Sequence, residues 1–407
     1  MADAQLTGER IAYHRKRLGL SQVEFAALIG RSDSWVSQVE RGVRAVDRMS
    51  VLQTVAEVLG VNAAELSGTE HDDADAAERP EEVETMRLVL TGHPAIAVVL
   101  GSQSHALTSE RLAELRELRD RTWLAVHGSR YVELAPLVAS VIPELEQAVR
   151  VGGNAELTAA ARGLLSDTYQ AVAAAMAKLG AADAAWIAAD RAAFAAEMLH
   201  DRLAVAASLF RMAHAFLTLG ETGQARAVAK TVIEGLDQRA AREPLPETLS
   251  LCGAFHLVLG IAAARDNDRL QAHWHLDRAR EIADRLGADR NDFGTEFGPT
   301  SVSLHAVRVA VELGDGGEAL DLARRIESAG LSAERQARYN IDLAQAHAMR
   351  RQIGEALRCL EEAERLTPEQ TRTHRVARAV ARDLIQLSGP RLRPDLRDLA
   401  ERFGVWP

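Results

Sequence analysis

Residues 20–42 read LSQVEFAALIGRSDSWVSQVERG, and this stretch decides the fold of the N-terminal part of the chain. Ser21, followed three positions later by Glu24, forms a capping box, which marks the start of a helix. Gly30 and Gly42 stand where two short helices would end, because glycine readily takes the left-handed conformation found there. The stretch therefore predicts two short helices joined by a tight turn. Their expected bounds are 22–29 and 33–41.

The same signals recur on both sides of this stretch. Asn62 and Glu65 form a second capping box, and Thr7, Ser32 and Asp47 are candidate N-caps. Valine and isoleucine follow a helical period throughout and never alternate as in a strand. We therefore expect a domain of short helices in residues 1–68. The five predicted helices are 8–18, 22–29, 33–41, 48–59 and 63–67.

The predicted third helix has two distinct faces. Val36 and Val39 form an apolar stripe that we expect to face the core. Trp35 lies about 70° from the centre of that stripe, so we expect it to pack at the edge of the domain, with its indole within reach of DNA. The opposite face carries Ser34, Ser37, Gln38 and Arg41.

The pattern from Leu20 to Gly42 resembles the helix-turn-helix of Cro/C1-type (XRE-family) repressors. The resemblance implies that the polar face of the third helix enters the major groove of double-stranded DNA. There Gln38 pairs with adenine, which is worth about 1–3 kcal/mol of discrimination. It also places Gln22 and Asp33 near the DNA. Asp33 either accepts from a cytosine amino group or stabilises the N-terminus of its own helix.

The resemblance also implies an ion pair between Arg15 and Glu40, which would take both charges away from the DNA surface. Residues 1–68 hold eight Lys/Arg and eight Asp/Glu, so such a pair would explain a recognition domain without net positive charge. Six further cations are candidate phosphate contacts, and each is equally consistent with a solvated charged surface. They are Arg10, Lys16, Arg17, Arg31, Arg44 and Arg48.

Residues 69–84 read TEHDDADAAERPEEVE, with eight acidic residues and one arginine. The segment lacks residues that form a core and repels itself, so it predicts an acidic linker. The net charge of −10 for the whole chain argues against a protein that coats nucleic acid along its length. One small DNA-reading domain remains compatible with it.

Residues 85–407 contain a repeated pairing of small residues. In each case a small residue, or a valine once, precedes an alanine by twelve positions, with a turn between them. The spacing predicts helical hairpins whose two helices cross at the paired positions. The pairs are Ala173/Ala185, Ala213/Ala225, Gly260/Ala272, Val307/Ala319 and Ala344/Ala356, with a degenerate unit before them and a capping helix at 393–403.

These hairpins resemble tetratricopeptide repeats, which stack into an α-solenoid with a concave groove. A plain helical bundle is the alternative. Segments 297–300 (FGPT), 360–370 (LEEAERLTPEQ) and 396–400 (LRDLA), taken with the N-terminal motif, resemble actinobacterial XRE-family regulators with C-terminal tetratricopeptide repeats. The fold class implied is all-α, with a lambda-repressor-like domain followed by the repeats. The architecture is also similar to peptide-pheromone-responsive regulators of Gram-positive bacteria, which transfers no ligand to this chain.

The repeat register places several polar residues on the concave side, where they suit a peptide or small ligand. Arg308 and Arg338 are candidates for a carboxylate. The other candidate ligand-binding residues are His214, Asn340 and Gln345. The segment 287–300 (GADRNDFGTEFGPT) is longer and more aromatic than a repeat turn. It either folds over the groove as a lid or packs on the outer edge.

No catalytic motif is present, and we predict no enzyme activity, cofactor or metal. His273 and His275 point in different directions on a helix, and Cys252 and Cys359 are far apart, which indicates reduced thiols. The sequence thus predicts a cytoplasmic, homodimeric transcription regulator that binds an operator and senses a peptide or small ligand. The alternative is an interaction scaffold, in which the repeats dock a partner protein and the DNA-binding domain anchors it.

Overall fold

The structure is a computed structural model that describes residues 2–44, 46, 49–61, 66, 80–92, 107–242, 245–327, 330–388 and 393–405. Across these ranges the regular structure is helical, with one isolated β-bridge between Arg290 and Phe297. The all-α prediction is confirmed. The absence of alternating apolar residues, on which the prediction rested, corresponds to the absence of strands in the described part of the chain.

The N-terminal helices are α1 (Ala2–Arg17), α2 (Gln22–Leu28), α3 (Asp33–Glu40) and α4 (Met49–Leu59). They enclose a core to which α1, α2 and α3 contribute one or two apolar residues each and α4 contributes four. The predicted fifth helix lies outside the described residues, except for Leu66, which is fully buried in this core. Its largest members are Ile11, Phe25, Val36, Val39, Val55 and Leu59.

Helix α1 begins at Ala2, six residues before the predicted start, so Thr7 is not an N-cap. The preceding residues ADAQL contain good helix formers and nothing that stops a helix. Gly8, which lies inside the helix, is required by packing rather than by a turn. A Cβ atom at this position would lie 2.0 Å from the carbonyl oxygen of Val39, so Gly8 lets α1 and α3 approach closely.

Helix α5 (Glu81–Thr91) starts within the predicted acidic linker, which we placed at 69–84. The last four linker residues are therefore helical. Glu81, Glu82 and Glu84 occupy the first turn, where negative charge is favourable next to the positive end of the helix dipole. The charge run was interpreted only as self-repelling, and its role at a helix N-terminus was missed. The rest of the predicted linker up to residue 79 lies outside the described residues.

Helical hairpins follow from residue 109 onwards. All nine alanines and valines of the paired positions are fully buried, as expected where helices cross. The first and second helices of the hairpins are α6 (Ser109–His127) and α7 (Tyr131–Val151), α8 (Ala155–Lys178) and α9 (Ala182–Glu197), α10 (Arg202–Leu219) and α11 (Thr222–Arg242), α12 (Pro246–Arg265) and α13 (Arg269–Leu286), α14 (Pro299–Glu312) and α15 (Gly316–Ala323), and α16 (Ala333–Met349) and α17 (Ile353–Leu366).

The chain ends with α18 (Pro368–Thr373), α19 (Arg375–Ser388) and α20 (Pro394–Phe403). Helix α20 covers the last apolar surface of the repeats, and its apolar side chains are fully or almost fully buried against α16, α17 and α19. These side chains are Leu396, Leu399, Ala400 and Phe403. The helix predicted at 393–403 is therefore present, and it has the burial expected of a terminal helix that closes a stack.

The chain forms two compact units. One contains Met1–Glu78, Ala310–Arg325 and Ala337–Pro407, so the N-terminal helices and the last repeats belong to the same unit. The other contains Arg79–Val309 and Ile326–Gln336. We call them the head unit and the repeat unit.

Helices α10 and α12 are long and apolar enough to cross a membrane by length and composition. In α12, 94% of the apolar window is buried among neighbouring helices. A first helix of a hairpin packs on its own partner and on adjacent hairpins, so an apolar surface all round is the expected consequence of stacking.

Candidate nucleic-acid interface

Helix α3 presents the polar face that the sequence predicted. Its N-terminus is capped by Ser32, whose Oγ accepts from the backbone N–H of Trp35 at 3.1 Å. Val36 and Val39 are each 1% exposed, which fixes the rotation of the helix about its axis. The opposite side therefore faces outward: Ser34 and Arg41 are exposed, and Ser37 and Gln38 are half-buried.

The ion pair between Arg15 and Glu40 is confirmed. The Arg15 Nε and Nη2 atoms donate to the two carboxylate oxygens of Glu40, at 2.5 and 2.9 Å. Arg15 Nη1 also donates to the carbonyl oxygen of Leu20, at 2.6 Å. The guanidinium thus joins α1, the turn before α2 and the end of α3. Because the two charges pair with each other inside the domain, neither contributes to the protein surface that would face DNA.

Gln22 is connected to the same network. Its Nε2 donates to Glu40 Oε2 at 2.8 Å, and its side chain is half-buried at the start of α2. One amide hydrogen is therefore committed to the protein. The bond holds the amide of Gln22 in one orientation beside α3, in the region where we predicted a DNA contact.

Trp35 lies at the edge of the domain, half-buried against the core. Arg31 is exposed, and its guanidinium carbon lies 5.6 Å from the centre of the Trp35 ring, within the range of a cation–π interaction. The tryptophan therefore supports an arginine that stands on the surface. This pairing gives a large aromatic residue at the third position of α3 a role at the surface of the domain.

Asp33 accepts from the backbone N–H of Ser34 through Oδ1, at 2.8 Å, in the first turn of α3. This geometry matches the helix-stabilising interpretation of Asp33. At the other end of the helix, Arg41 Nε donates to the Ser37 carbonyl oxygen at 3.1 Å, and Arg44 is exposed on the turn that follows. Arg31, Arg41 and Arg44 thus place three exposed cations around the polar face.

The structure corrects the prediction that Arg17 is a candidate phosphate contact. It is 7% exposed and forms a buried ion pair with Asp383 of α19 in the head unit. A side chain in that position is not available to DNA. Arg48 lies outside the described residues.

The predicted ligand-binding residues are divided between the two units. In the repeat unit, His214 lies on α10 and Arg308 on α14. Burial lowers the pKa of His214 to about 3, and the charges of Arg211, His305 and Arg308 add to the shift. The structure therefore brings His214 and Arg308 into electrostatic range of each other.

Arg338, Asn340 and Gln345 lie on α16 in the head unit. Gln345 is 5% exposed, and its Nε2 is 3.5 Å from the hydroxyl of Tyr13, so it belongs to the packing of α1 on α16. This contact leaves little of the Gln345 side chain exposed, and its ligand-binding role stays a prediction. Arg338 contacts His374, and its Nε lies 3.8 Å from Asp342 Oδ1. Asn340 is half-buried.

Sequence reasoning missed a second set of polar residues in the repeat unit. Trp123 Nε1 donates to Asp167 Oδ1 at 3.1 Å, and Arg211, which is 7% exposed, donates to the backbone of the segment after α13. A search for charged residues at inward positions of the first helices would have found Arg211, since buried arginines are rare without a partner.

Two histidines of the repeat unit form a buried pair. The Nδ1 atoms of His256 and His275 are 3.0 Å apart, with Trp274 packed at the edge of the His256 ring. His275 therefore pairs with the preceding helix and not with His273. Among the described residues, no group of three or more His, Cys, Asp or Glu side chains is placed to hold a metal ion.

Comparison with known proteins gives three findings. Residues 7–67 match the model of a helix-turn-helix domain. Over 70% of its length, the chain is similar to the crystal structure of Bacillus thuringiensis PlcR in complex with the peptide PapR7 and DNA, with 15% sequence identity, 96% of that chain covered and a TM-score of 0.28. The third finding is a curated relative, the uncharacterised HTH-type transcriptional regulator YazB of Bacillus subtilis.

The relative is 37% identical over 68 residues, which are 17% of this chain and 97% of YazB. The matched region contains the described recognition helix, its capped N-terminus and the internal ion pair that frees its polar face. On the strength of that match, this chain belongs to the family of helix-turn-helix transcriptional regulators, which bind DNA through this domain.

Proposed function

We propose that the protein is a sequence-specific transcription regulator that binds an operator as a homodimer and senses a peptide or small ligand through its repeats. One observation carries the proposal. The outer side of helix α3 and its C-cap carries exposed Ser34 and Arg41 and half-buried Gln38, while Val36 and Val39 are buried on the opposite side. This is the geometry that a helix needs in order to read base edges in the major groove.

The chemistry of this face supports specific recognition more than general attraction. The amide of Gln38 can donate to adenine N7 and accept from adenine N6 at the same time, and a wrong base loses both bonds. Arg31, Arg41 and Arg44 supply the contacts to phosphates, which fix the register on the duplex. Because Glu40 is neutralised internally by Arg15, it does not repel the DNA.

Pairing of two chains follows from the size of the surface. A single recognition helix contacts only a few base pairs, so two-fold dimers normally read two half-sites separated by one helical turn or a multiple of it. In this proposal the repeats hold the two copies and bind the effector. A ligand that binds one dimer arrangement more tightly then shifts the population toward or away from the spacing of the operator. A protein that binds an operator must reach the DNA, so we expect it in the cytoplasm.

A binding-site selection with the purified full-length protein and a random duplex library tests the proposal. We expect an enriched motif of two related half-sites spaced by one helical turn or a multiple. The control is a variant with Ser34, Gln38 and Arg41 replaced by alanine, which changes only exposed and half-buried side chains of the outer side and should keep its helical circular dichroism. Enrichment of the same motif by that variant, or no motif with the wild type, would contradict the proposal.

A further inference from the structure

We propose that the repeat unit contains a binding site for an acidic peptide and that a segment of the chain itself occupies this site. The segment is Asp289–Gly298, which we call the strap. The inference rests on the proposed ligand sensing, for which it names the chemistry and an internal competitor.

The strap lies against the first helices of several hairpins. It contacts Trp123 and His127 of α6, Arg211 of α10, Gly253 of α12 and Arg335 of α16. All four helices come first in their hairpins, so the strap lies against the side of the repeat unit that these first helices form.

Two arginines hold the backbone of the strap as they would hold a bound peptide. Arg211 Nη2 donates to the carbonyl oxygen of Phe293 at 2.7 Å. Arg335 Nη2 donates to the carbonyl oxygen of Glu296 at 2.5 Å. Hydrogen bonds to peptide carbonyls do not depend on the side chains of the peptide, so these two contacts are available to a peptide of another sequence as well.

The side chain of Glu296 defines an acidic position in the site. Its Oε2 lies 3.1 Å from Arg335 Nε and 3.6 Å from His127 Nδ1. Burial alone would raise the pKa of this carboxyl, but the nearby His127 imidazole and the Arg335 guanidinium outweigh it and lower the pKa to about 2. The surroundings thus favour a carboxylate strongly over a neutral group.

An aromatic position follows the acidic one. Phe297 is fully buried, and Gly253 provides the space for its ring, because a Cβ atom on Gly253 would lie 2.0 Å from Phe297 Cζ. Gly253 therefore lines a pocket that holds an aromatic ring. A ligand for this site therefore carries an acidic residue followed directly by an aromatic residue.

The strap itself fits the site under strain. Phe293 and Glu296 have φ values of 53° and 48°, in the left-handed region that side-chain-bearing residues disfavour. Gly294 lies against the Trp123 indole, where a Cβ atom would be 2.6 Å from Cη2. The strap is joined to helices at both of its ends, whereas a separate peptide is not, so a peptide can relax these φ values and compete with the strap.

The residues around Trp123 also contact one another, in addition to their contacts with the strap. Asp167 accepts from the Trp123 indole and pairs with Arg119, and the Arg211 guanidinium lies 5.2 Å from the centre of the Trp123 ring. Arg211 is buried and Arg119 and Asp167 are half-buried, and charges in such surroundings often add little to the stability of a fold. The rival interpretation is a purely structural loop, and the experiment below separates the two.

The test uses the full-length protein, the synthetic peptide NDFGTEF (the sequence of residues 291–297) and the variant Gly294→Ala, which forces the strap away from Trp123. The matched control is Gly287→Ala. Gly287 also has a positive φ, of 72°, but nothing lies within 4 Å of a Cβ atom there. It therefore has the same kind of backbone strain without the clash.

Hydrogen exchange and peptide titration are the two measurements. We expect residues 289–298 to exchange at least tenfold faster in Gly294→Ala than in the wild type or in Gly287→Ala. The peptide should bind Gly294→Ala at least tenfold more tightly than the wild type. The peptide NDFGTQF, in which glutamine replaces the residue equivalent to Glu296, should bind at least tenfold more weakly. Adding Arg335→Ala to the protein should abolish binding.

Release of the strap without peptide binding would overturn the proposal and leave the strap as a structural loop. Equal affinity for the two peptides would overturn the acidic position. If Gly294→Ala does not fold, Glu296→Gln releases the strap by removing its carboxylate and is tested in the same way. None of these measurements uses DNA, so peptide binding by a protein that selects no operator would refute only the proposed function.

Discussion

Arg17 of α1 and Asp383 of α19 form a buried ion pair across 366 positions of the chain. Arg17 Nη2 donates to Asp383 Oδ1 at 2.9 Å, and Arg17 Nε lies 2.8 Å from Oδ2. The two side chains are 8% and 1% exposed. Within the head unit, the first helix of the DNA-binding domain is thus bonded to the C-terminal helices, so its orientation depends on them.

Arg17→Ala should destabilise the protein by about 3–5 kcal/mol, because it leaves the Asp383 carboxylate buried without its partner. Urea unfolding of the full-length protein measures the change. Arg365→Ala is the matched control, since it breaks an ion pair with Glu362 in which the arginine is 68% exposed, and it should change stability by less than about 1 kcal/mol.

The double variant Arg17→Met/Asp383→Leu should recover most of that loss, because well-packed apolar residues often replace a buried ion pair without a penalty. A midpoint for Arg17→Ala equal to that of the wild type would show that the pair is not formed in solution.

Gln38→Ala should relax the sequence preference at one base pair of each half-site, at a cost of about 1–3 kcal/mol for the preferred base. Arg44→Ala should instead weaken binding to all sequences alike and reduce the salt dependence by about one phosphate contact. Site selection and fluorescence anisotropy at several salt concentrations distinguish the two effects. An unchanged base preference for Gln38→Ala would exclude its role in base reading.

Gly8→Ala should destabilise the protein although alanine is the better helix former, because the added Cβ would lie 2.0 Å from the Val39 carbonyl oxygen. The matched control is Gly235→Ala, on the exposed side of α11, where nothing lies within 4 Å. That change should stabilise the protein by about 0.5–1 kcal/mol. Thermal unfolding of both variants measures the difference in sign, and stabilisation by Gly8→Ala would refute the close approach of α1 and α3.

Stability should fall as the pH drops from about 6.5 toward 4, because buried histidines resist protonation in the folded state. Burial is the main cause that lowers the pKa values of His256 and His275 to about 4, below the ordinary value of 6.5. Between these values the unfolded chain binds more protons, and the loss is up to about 1.4 kcal/mol per pH unit for each histidine. The lowered pKa of Glu296 affects stability only below about pH 4.5, the ordinary pKa of a glutamate side chain.

Urea unfolding at pH 7.5, 6.0 and 5.0 measures this dependence. The variant His256→Leu should show a smaller loss between pH 6.5 and 5, and a change of the exposed His200 to Asn serves as the control. The same midpoint at all three pH values would contradict the neutral, buried state of the pair.

Much of the fold is readable from local sequence. Capping residues such as Ser21 and Ser32, and small residues twelve positions apart such as Ala213 and Ala225, act over one or two helical turns or within one hairpin. Their physical effect is local, so the helix bounds, the hairpins and the outward face of α3 follow from the pattern of residues. The pair between Arg15 and Glu40 was predicted because a family resemblance supplied the missing distance information.

Contacts between distant parts of the chain were not readable in this way. Nothing near Arg17 indicates Asp383, and nothing near Gln345 indicates that Tyr13 would cover it. The placement of the strap against Arg211 and Arg335 is of the same kind. An arginine on a helix surface has the same local pattern whether it meets water, a phosphate or a buried carboxylate. Its partner is set by which helices the packing brings together, and that packing depends on the summed burial of the entire chain.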